Sequence, residues 1–146
     1  MGKVEYDWGI GNPATLEPHS SAKHTILRRY VEEYVKILTS DRRIPDFSLT
    51  LVDGFAGGGE YLVEGQDKLH DGSPFILIEA VRAATAVVKV EQRRPIDIKA
   101  NFIFVEEKPS NYAYLKDALD RRLDKATRAA VTTHQGDFKG CGSFRA

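Results

Sequence analysis

A short run of β-forming residues opens into a glycine turn in the sequence SLTLVDGFAGGG, residues 48–59. The apolar and β-branched composition of residues 48–52 predicts a short buried strand. Asp53 comes next, and residues 54–59 contain four glycines. Glycine has no Cβ, permits a positive φ and lets backbone amides approach a ligand closely. The run therefore predicts a strand that leads into a ligand-binding turn, although a tight turn without a ligand explains the same residues.

Helical and strand-like segments alternate along the rest of the chain. In chain order we expect a helix over 20–39, a strand over 48–52, a polar loop over 60–72, a helix over 73–92, a strand over 101–105, a helix from Pro109 and a strand over 129–133. Ser73 is expected to cap the second helix, with Pro74 in its first turn. This alternation predicts an α/β fold, a Rossmann-like parallel sheet with flanking helices on its faces.

One domain accounts for most of the 146 residues. We expect residues 1–18 to form an irregular N-terminal segment, because glycines and prolines interrupt it and no hydrophobic period is visible. Tyr6 and Trp8 could pin this segment onto the domain. Residues 19–146 are expected to form the Rossmann-like domain itself.

Charge and cysteine content narrow the classes of function. Lys and Arg number 21 and Asp and Glu number 21, so the formal net charge is zero and nucleic-acid binding is not indicated. No apolar run is long enough to span a membrane, and the N-terminus lacks the apolar core of a signal peptide. Cys141 is the single cysteine, which excludes an intrachain disulfide and favours a cytoplasmic protein. The four histidines show no metal-binding motif, so no metal is expected.

The glycine turn departs from both common phosphate-binding motifs. Gly54 and Gly59 have the spacing of a P-loop, but Glu60 and Tyr61 stand where lysine and a hydroxyl residue are required. The dinucleotide motif is also incomplete, because Leu62 stands at its last glycine. A carboxylate before a glycine turn without lysine better suits a ligand that carries an ammonium group and a ribose. S-adenosylmethionine is such a ligand.

Acidic residues follow the other two predicted strands. Glu106 directly continues the strand over 101–105, and a carboxylate there accepts hydrogen bonds from ribose hydroxyls. By strand alternation Glu107 is expected to point the other way. Asp137 follows the third strand, where it would accept from an adenine amine beside Phe138. A solvated acidic pair before a helix and an ordinary turn aspartate remain the alternatives.

Three segments together resemble the three-Cys-motif partner protein family. They are HSSAKHTILRRY at 19–30, which resembles the family's H-x-x-x-K-x-x-I-L-x-x-Y helix, VDGFAGGGEY at 52–61, which resembles V-D-G-F-A-G-P-G-x-Y, and GSP at 72–74. The chain has Gly58 where the family usually has proline, a departure expected to loosen the turn. The resemblance extends over about residues 19–137. It implies a Rossmann-like domain of the S-adenosylmethionine-dependent methyltransferase type.

The resemblance implies a cofactor site, a partner and an incomplete fold. The implied S-adenosylmethionine site comprises Asp53, Gly57, Gly59, Glu106 and Asp137, together with Gly54 and Phe55 of the same turn. The implied partner is a separate protein with a three-cysteine motif. Methyltransferases of this fold commonly have seven strands, so we expect the chain to hold the N-terminal half, as a fragment or a truncated gene product. An exposed sheet edge would then favour a homodimer.

The catalytic residues and the methyl acceptor stay unassigned at this point. The acceptor motif that commonly follows the fourth strand has no counterpart after Phe138. A non-catalytic nucleotide-binding or protein-interaction module with the same pocket is therefore the main alternative to a methyltransferase. A nicotinamide-dependent oxidoreductase is disfavoured by Leu62.

Overall fold

The computed structural model describes residues 6–9, 11–93 and 95–137. Its elements are β1 (Ala14–Leu16), α1 (Pro18–Leu38), β2 (Asp46–Asp53), β3 (Glu60–Val63), β4 (Leu69–Asp71), α2 (Ser73–Gln92), β5 (Asp97–Glu106), α3 (Pro109–Arg122), α4 (Lys125–Ala129) and β6 (Val131–Gln135). The predicted helices and the three predicted strands are confirmed with small shifts of their ends. Phe138 and Cys141 lie outside the described residues.

A parallel sheet of three strands carries the predicted ligand-binding edge. Its strand order is β2-β5-β6, and both pairs are parallel. Asp53 pairs with Phe104, and Glu106 at the end of β5 pairs with Gln135 of β6. Helical crossovers return the chain to the same end of the sheet each time. The carboxyl ends of the three strands therefore lie side by side, and the predicted α/β class is confirmed.

The described helices cover only one face of this sheet. Phe102 and Phe104 of β5 pack in one cluster with Leu115 and Leu119 of α3. On the opposite face, the register partners Ser48 and Lys99, and likewise Thr50 and Asn101, are exposed. Successive side chains of a strand point to opposite faces of the sheet. In β2 and β5 the residues on one face are mostly apolar and those on the other face include exposed polar side chains. The expectation of helices on both faces is thus not met within the described residues.

A second sheet is the largest difference from the sequence prediction. It has the order β1-β3-β4, with β1 and β3 parallel and β3 and β4 antiparallel. Its strands lie in the segment predicted to be irregular and in the loop predicted over 60–72. Strands of three or four residues are too short to show a hydrophobic period, so only their pairing across the chain reveals them. The five-residue helix α4 was not predicted either.

The helix ends also differ from the prediction in a way that affects the site. The residue that caps α2 is Gly72, and Ser73 is already helical. Ser73 donates its hydroxyl hydrogen bond to the Asp53 carboxylate instead of capping the helix. Helix α1 begins at Pro18, two residues before the predicted start. Within the described residues, no helix has the length and apolar character needed to cross a membrane.

Candidate functional site at the ends of the parallel strands

A cavity of about 640 Å³ lies at the carboxyl ends of β2 and β5. It is lined by Tyr6, Trp8, Phe55, Gly57, Tyr61, Glu106, Glu107, Lys108, Pro109 and Asn111. Its volume is in the range of small-molecule sites. Three of the predicted site residues, Phe55, Gly57 and Glu106, therefore border one cavity.

The glycine turn is fastened to the neighbouring strand at this cavity. The backbone N–H of Ala56 donates to the carbonyl of Val105 over 3.0 Å. The N–H of Gly57 donates to Oε2 of Glu106 over 2.7 Å. Gly57 has a φ of +64°, in the left-handed region that side chains other than glycine's rarely adopt. Turn and acidic strand end thus form one unit, although Gly57 and Glu106 are 49 residues apart.

Asp53 stabilises the turn through hydrogen bonds and does not line the cavity. Its Oδ1 accepts from the N–H of Phe55 over 3.1 Å, and its Oδ2 accepts from the Ser73 hydroxyl. Gly59 has a φ of +86°, and a Cβ there would meet Phe75 at 3.1 Å inside the core. Asp53 and Gly59 therefore shape the turn in this structure. Gly54 lies in the same turn and is likewise not among the lining residues.

The two glutamates at the end of β5 both border the cavity. The strand ends at Glu106, so the alternation that was expected to turn Glu107 away no longer applies one residue later. Glu106 is nevertheless the better positioned of the two. Its Oε1 accepts from the N–H of Lys108 over 3.0 Å, while its Oε2 holds Gly57. Asp137 is exposed and does not line the cavity, and the predicted role of Phe138 beside an adenine falls outside the described residues.

The N-terminal segment, residues 6–8, forms one wall of the cavity. Trp8 is buried and donates its backbone N–H to Oδ1 of Asn111 over 3.0 Å and its indole N–H to the carbonyl of Glu60 over 2.6 Å. Asn111 also donates to the carbonyl of Tyr6 over 3.2 Å. The expected pinning by Tyr6 and Trp8 is confirmed. The anchoring role of Asn111 was missed, and no local signal separates it from an ordinary polar residue in the first turn of a helix.

The indole of Trp8 packs directly on the glycine turn. A Cβ built on Gly58 would lie 2.4 Å from the indole ring, and one on Gly57 would lie 2.8 Å from it. Such distances are far below van der Waals contact, so glycine at 58 makes room for Trp8. Gly58 was expected to loosen the turn, and the structure shows a buried aromatic ring packed on the turn at this position.

Aromatic rings and carboxylates dominate the electrostatic character of the cavity. The ring of Tyr61 lies 5.1 Å from that of Tyr6 and 5.0 Å from that of Trp8, measured between centroids. Burial is the main cause that raises the pKa of Tyr61, and the charges of Asp53 and Glu106 add to it, so its hydroxyl is neutral. The Lys108 ammonium group is ion-paired with Asp7. The lining thus favours a cationic group over an anionic one.

His24 lies behind Tyr61, with ring centroids 5.7 Å apart. Burial lowers the pKa of His24, and the negative charge of Asp53 opposes this shift. The imidazole is therefore neutral at pH 7. In the sequence His24 is only one residue of a helix that resembles a family motif, because its proximity to Asp53 depends on how α1 packs.

No family model matches the chain, and no curated protein sequence matches it. The resemblance to the three-Cys-motif partner protein family therefore stays a prediction based on the motifs quoted above. The function has to be argued from the cavity and its chemistry.

Proposed function

We propose that this chain binds S-adenosylmethionine in the cavity at the ends of β2 and β5 and serves as a methyltransferase-type domain with a Rossmann-like sheet. The observation that carries the proposal is the hydrogen bond from the Gly57 N–H to Glu106. It places a carboxylate beside a glycine turn at the edge where parallel α/β sheets bind ligands. The motif resemblance supports the same ligand.

The charges of the cavity support a sulfonium nucleotide over a phosphate-bearing one. Glu106 and Glu107 contribute two carboxylates, and the Lys108 charge is already compensated by Asp7. ATP and NAD bring several negative charges that these carboxylates repel. S-adenosylmethionine brings a sulfonium and an ammonium group, which carboxylates and aromatic rings attract. When bound, the cofactor supplies an electrophilic methyl group, and the residues of this chain bind and orient it.

Glu106 has the capacity to hold the ribose as well as the turn. Each oxygen of an ionised carboxylate has two lone pairs, and each Glu106 oxygen accepts one backbone N–H. One lone pair on each oxygen therefore remains for a ribose hydroxyl. Because the two backbone bonds fix the carboxylate, little side-chain entropy is lost when the ligand binds.

Titration with nucleotides tests the proposal directly. We expect S-adenosylmethionine and adenosylhomocysteine to bind more than about tenfold tighter than ATP or NAD, a difference of about 1.4 kcal/mol or more. Trp8 is the only tryptophan and lines the cavity, so its fluorescence reports on binding there. Calorimetry gives the dissociation constants independently. Tighter binding of ATP or NAD would overturn the proposal.

Replacement of Glu106 tests the role of the acidic strand end. Glu106→Ala is expected to lower the affinity for adenosylhomocysteine at least about tenfold, because hydrogen bonds to a charged group contribute on the order of 1.5–3 kcal/mol each. Glu107→Ala is the matched control and should change affinity much less, since Glu107 is more exposed and Glu106 carries both backbone bonds. Circular dichroism checks that both variants fold.

A 2′-deoxyribose analogue of adenosylhomocysteine distinguishes two roles of Glu106, contact with the ribose and support of the turn. It should bind the unmodified protein more weakly and lose little further affinity in Glu106→Ala. Fully additive losses would mean that Glu106 does not touch the ribose and acts only through Gly57. A greater sensitivity at Glu107 would assign the ribose to that residue instead.

The partners remain predictions that complete this proposal. A protein with a three-cysteine motif is the expected partner by family resemblance, and a homodimer through the sheet edge is the expected assembly. Within the described residues, strand β2 pairs on one side only, and α1 carries an exposed stripe of Ile26, Tyr30, Tyr34 and Ile37. Sedimentation velocity that shows only the monomer mass at high micromolar concentration would exclude the dimer.

The alternative is a module that keeps the nucleotide pocket without methyl transfer. The two functions share the predicted binding results and differ in turnover. Release of adenosylhomocysteine in the presence of an acceptor would establish the enzyme. Tight binding without turnover over a broad acceptor screen would favour the module.

A further inference from the structure

A second cavity of about 570 Å³ lies between helix α1 and the β3–β4 hairpin. One side is formed by Ser21, His24, Thr25 and Arg28, which recur at the spacing of one helix face. The other side is formed by the hairpin, including Lys68. We name this cavity the basic cleft. None of the residues predicted from the sequence to bind a ligand lies in it.

Two cations in the basic cleft lack an acidic partner among the described residues. Neither Arg28 nor Lys68 forms an ion pair there, and both are exposed at the cleft. The third cation, Arg122, is compensated, because it donates to Asp71 over 2.7 Å and to Glu60 over 3.2 Å. The charge of Asp71, the acidic residue of the lining, is therefore already matched. The cleft has an excess of positive charge in a protein whose overall charge is zero.

The remaining lining adds an apolar floor and hydroxyl groups. Leu69 borders the cleft and is 41% exposed, and the lining also includes Leu16 and Ile76, which are buried at 6% and 2% exposure. Ser21 and Thr25 contribute hydroxyls on the same helix face as Arg28. An apolar floor, a few hydroxyls and two uncompensated cations form the pattern of a site for an organic anion.

The basic cleft is separate from the cofactor cavity but adjoins it. His24 lines the basic cleft, and its ring lies 5.7 Å from that of Tyr61, which lines the other cavity. The two cavities have opposite charge preferences, because carboxylates dominate one and cations the other.

We propose that the basic cleft binds a small organic anion, a phosphate ester or carboxylate whose apolar body packs against Leu69 and whose charge is held by Arg28 and Lys68. This assignment does not depend on the identity of the first ligand. If the protein is a methyltransferase, the ligand of this cleft would be the substrate that accepts the methyl group. This second assignment rests on the proposed function.

Binding of phenyl phosphate at low ionic strength tests the site. The expected result is saturable binding with a dissociation constant in the millimolar range or lower. Amide NMR shifts detect this binding, and the largest shifts should fall in residues 21–28 and 68–71. Benzoate should compete for the same site, and the relative affinities distinguish a phosphate ester from a carboxylate. Phenol, which has the ring without the charge, should bind far more weakly. Equal binding of phenol, or the absence of saturation, would overturn the proposal.

Charge-removing variants make the test specific. Arg28→Gln and Lys68→Gln are each expected to lower the affinity for phenyl phosphate about tenfold, because each removes a charge-assisted hydrogen bond. Arg29→Gln is the matched control, because Arg29 is the next residue of the same helix, is exposed and does not line the cleft. An equal loss in Arg29→Gln would mean non-specific attraction and would overturn the proposal. Because these titrations contain no nucleotide, their failure leaves the cofactor proposal untouched.

Discussion

Gly58→Ala is expected to lower the free energy of unfolding by about 1–3 kcal/mol, the cost of forcing extra volume into a packed interior. The added Cβ would lie 2.4 Å from the indole of Trp8, so the ring or the turn has to move. The ring is poorly able to move, because Trp8 is buried and its two N–H groups are bonded to Asn111 and Glu60. Urea denaturation followed by circular dichroism measures the loss. Movement of the ring or the turn should also weaken cofactor binding, since Trp8 and Gly57 both line the cavity.

Two further variants make this result interpretable. Gly9→Ala is the matched control, because a Cβ there meets only Asn12 at an ordinary 3.8 Å. Trp8→Ala removes the opposing ring, so adding Gly58→Ala to that variant should cost much less than it does alone. Equal costs in both backgrounds would show that the loss comes from the turn itself. If Trp8→Ala does not fold, a loss in Gly58→Ala no larger than that in Gly9→Ala would still contradict the prediction.

Glu60→Ala is expected to lower the free energy of unfolding by about 1–3 kcal/mol, because it leaves the hydroxyl of the buried Tyr114 without its acceptor. The Glu60 side chain is 2% exposed and accepts from the Tyr114 hydroxyl over 2.9 Å. It also pairs with Arg121 and Arg122, each over 3.2 Å. Burial, with the Glu60 hydrogen bond in addition, raises the pKa of Tyr114 to about 12. Alanine would leave the Tyr114 hydroxyl without its partner and remove the hydrogen bonds that the Glu60 side chain forms between β3 and α3.

An exposed ion pair provides the comparison for Glu60. Glu79 pairs with Arg82 over 2.9 Å, with both side chains about half exposed. Glu79→Ala should therefore change stability by less than about 1 kcal/mol. Glu60→Gln should fall between the two, because its amide oxygen still accepts from Tyr114. A loss in Glu60→Ala no larger than that in Glu79→Ala would show that the network contributes little.

The order of the main elements could be predicted because it is set locally. The glycine turn after β2, Pro74 in the first turn of α2 and the apolar run over 101–105 each act within a few residues. Alternating strands and helices then predict parallel pairing, which brings successive strand ends to one edge. That rule places the glycine turn and Glu106 at the same edge of the sheet. The expected neighbour Asp137 does not line the cavity, because it lies beyond β6 and is exposed to solvent.

Local sequence patterns are thus enough to predict an α/β chain with a parallel sheet and the edge at which its candidate site forms. Which side chains surround and support that site depends on how the elements pack in the folded chain. Trp8 meets Asn111 across 103 residues, and Glu60 meets Tyr114 across 54. Hydrophobic period and turn propensity extend over a few residues, whereas these contacts depend on how whole helices and strands pack. The same reason explains why the hairpin β3–β4, the support of Gly58 by Trp8 and the basic cleft beside His24 were visible only in the folded chain.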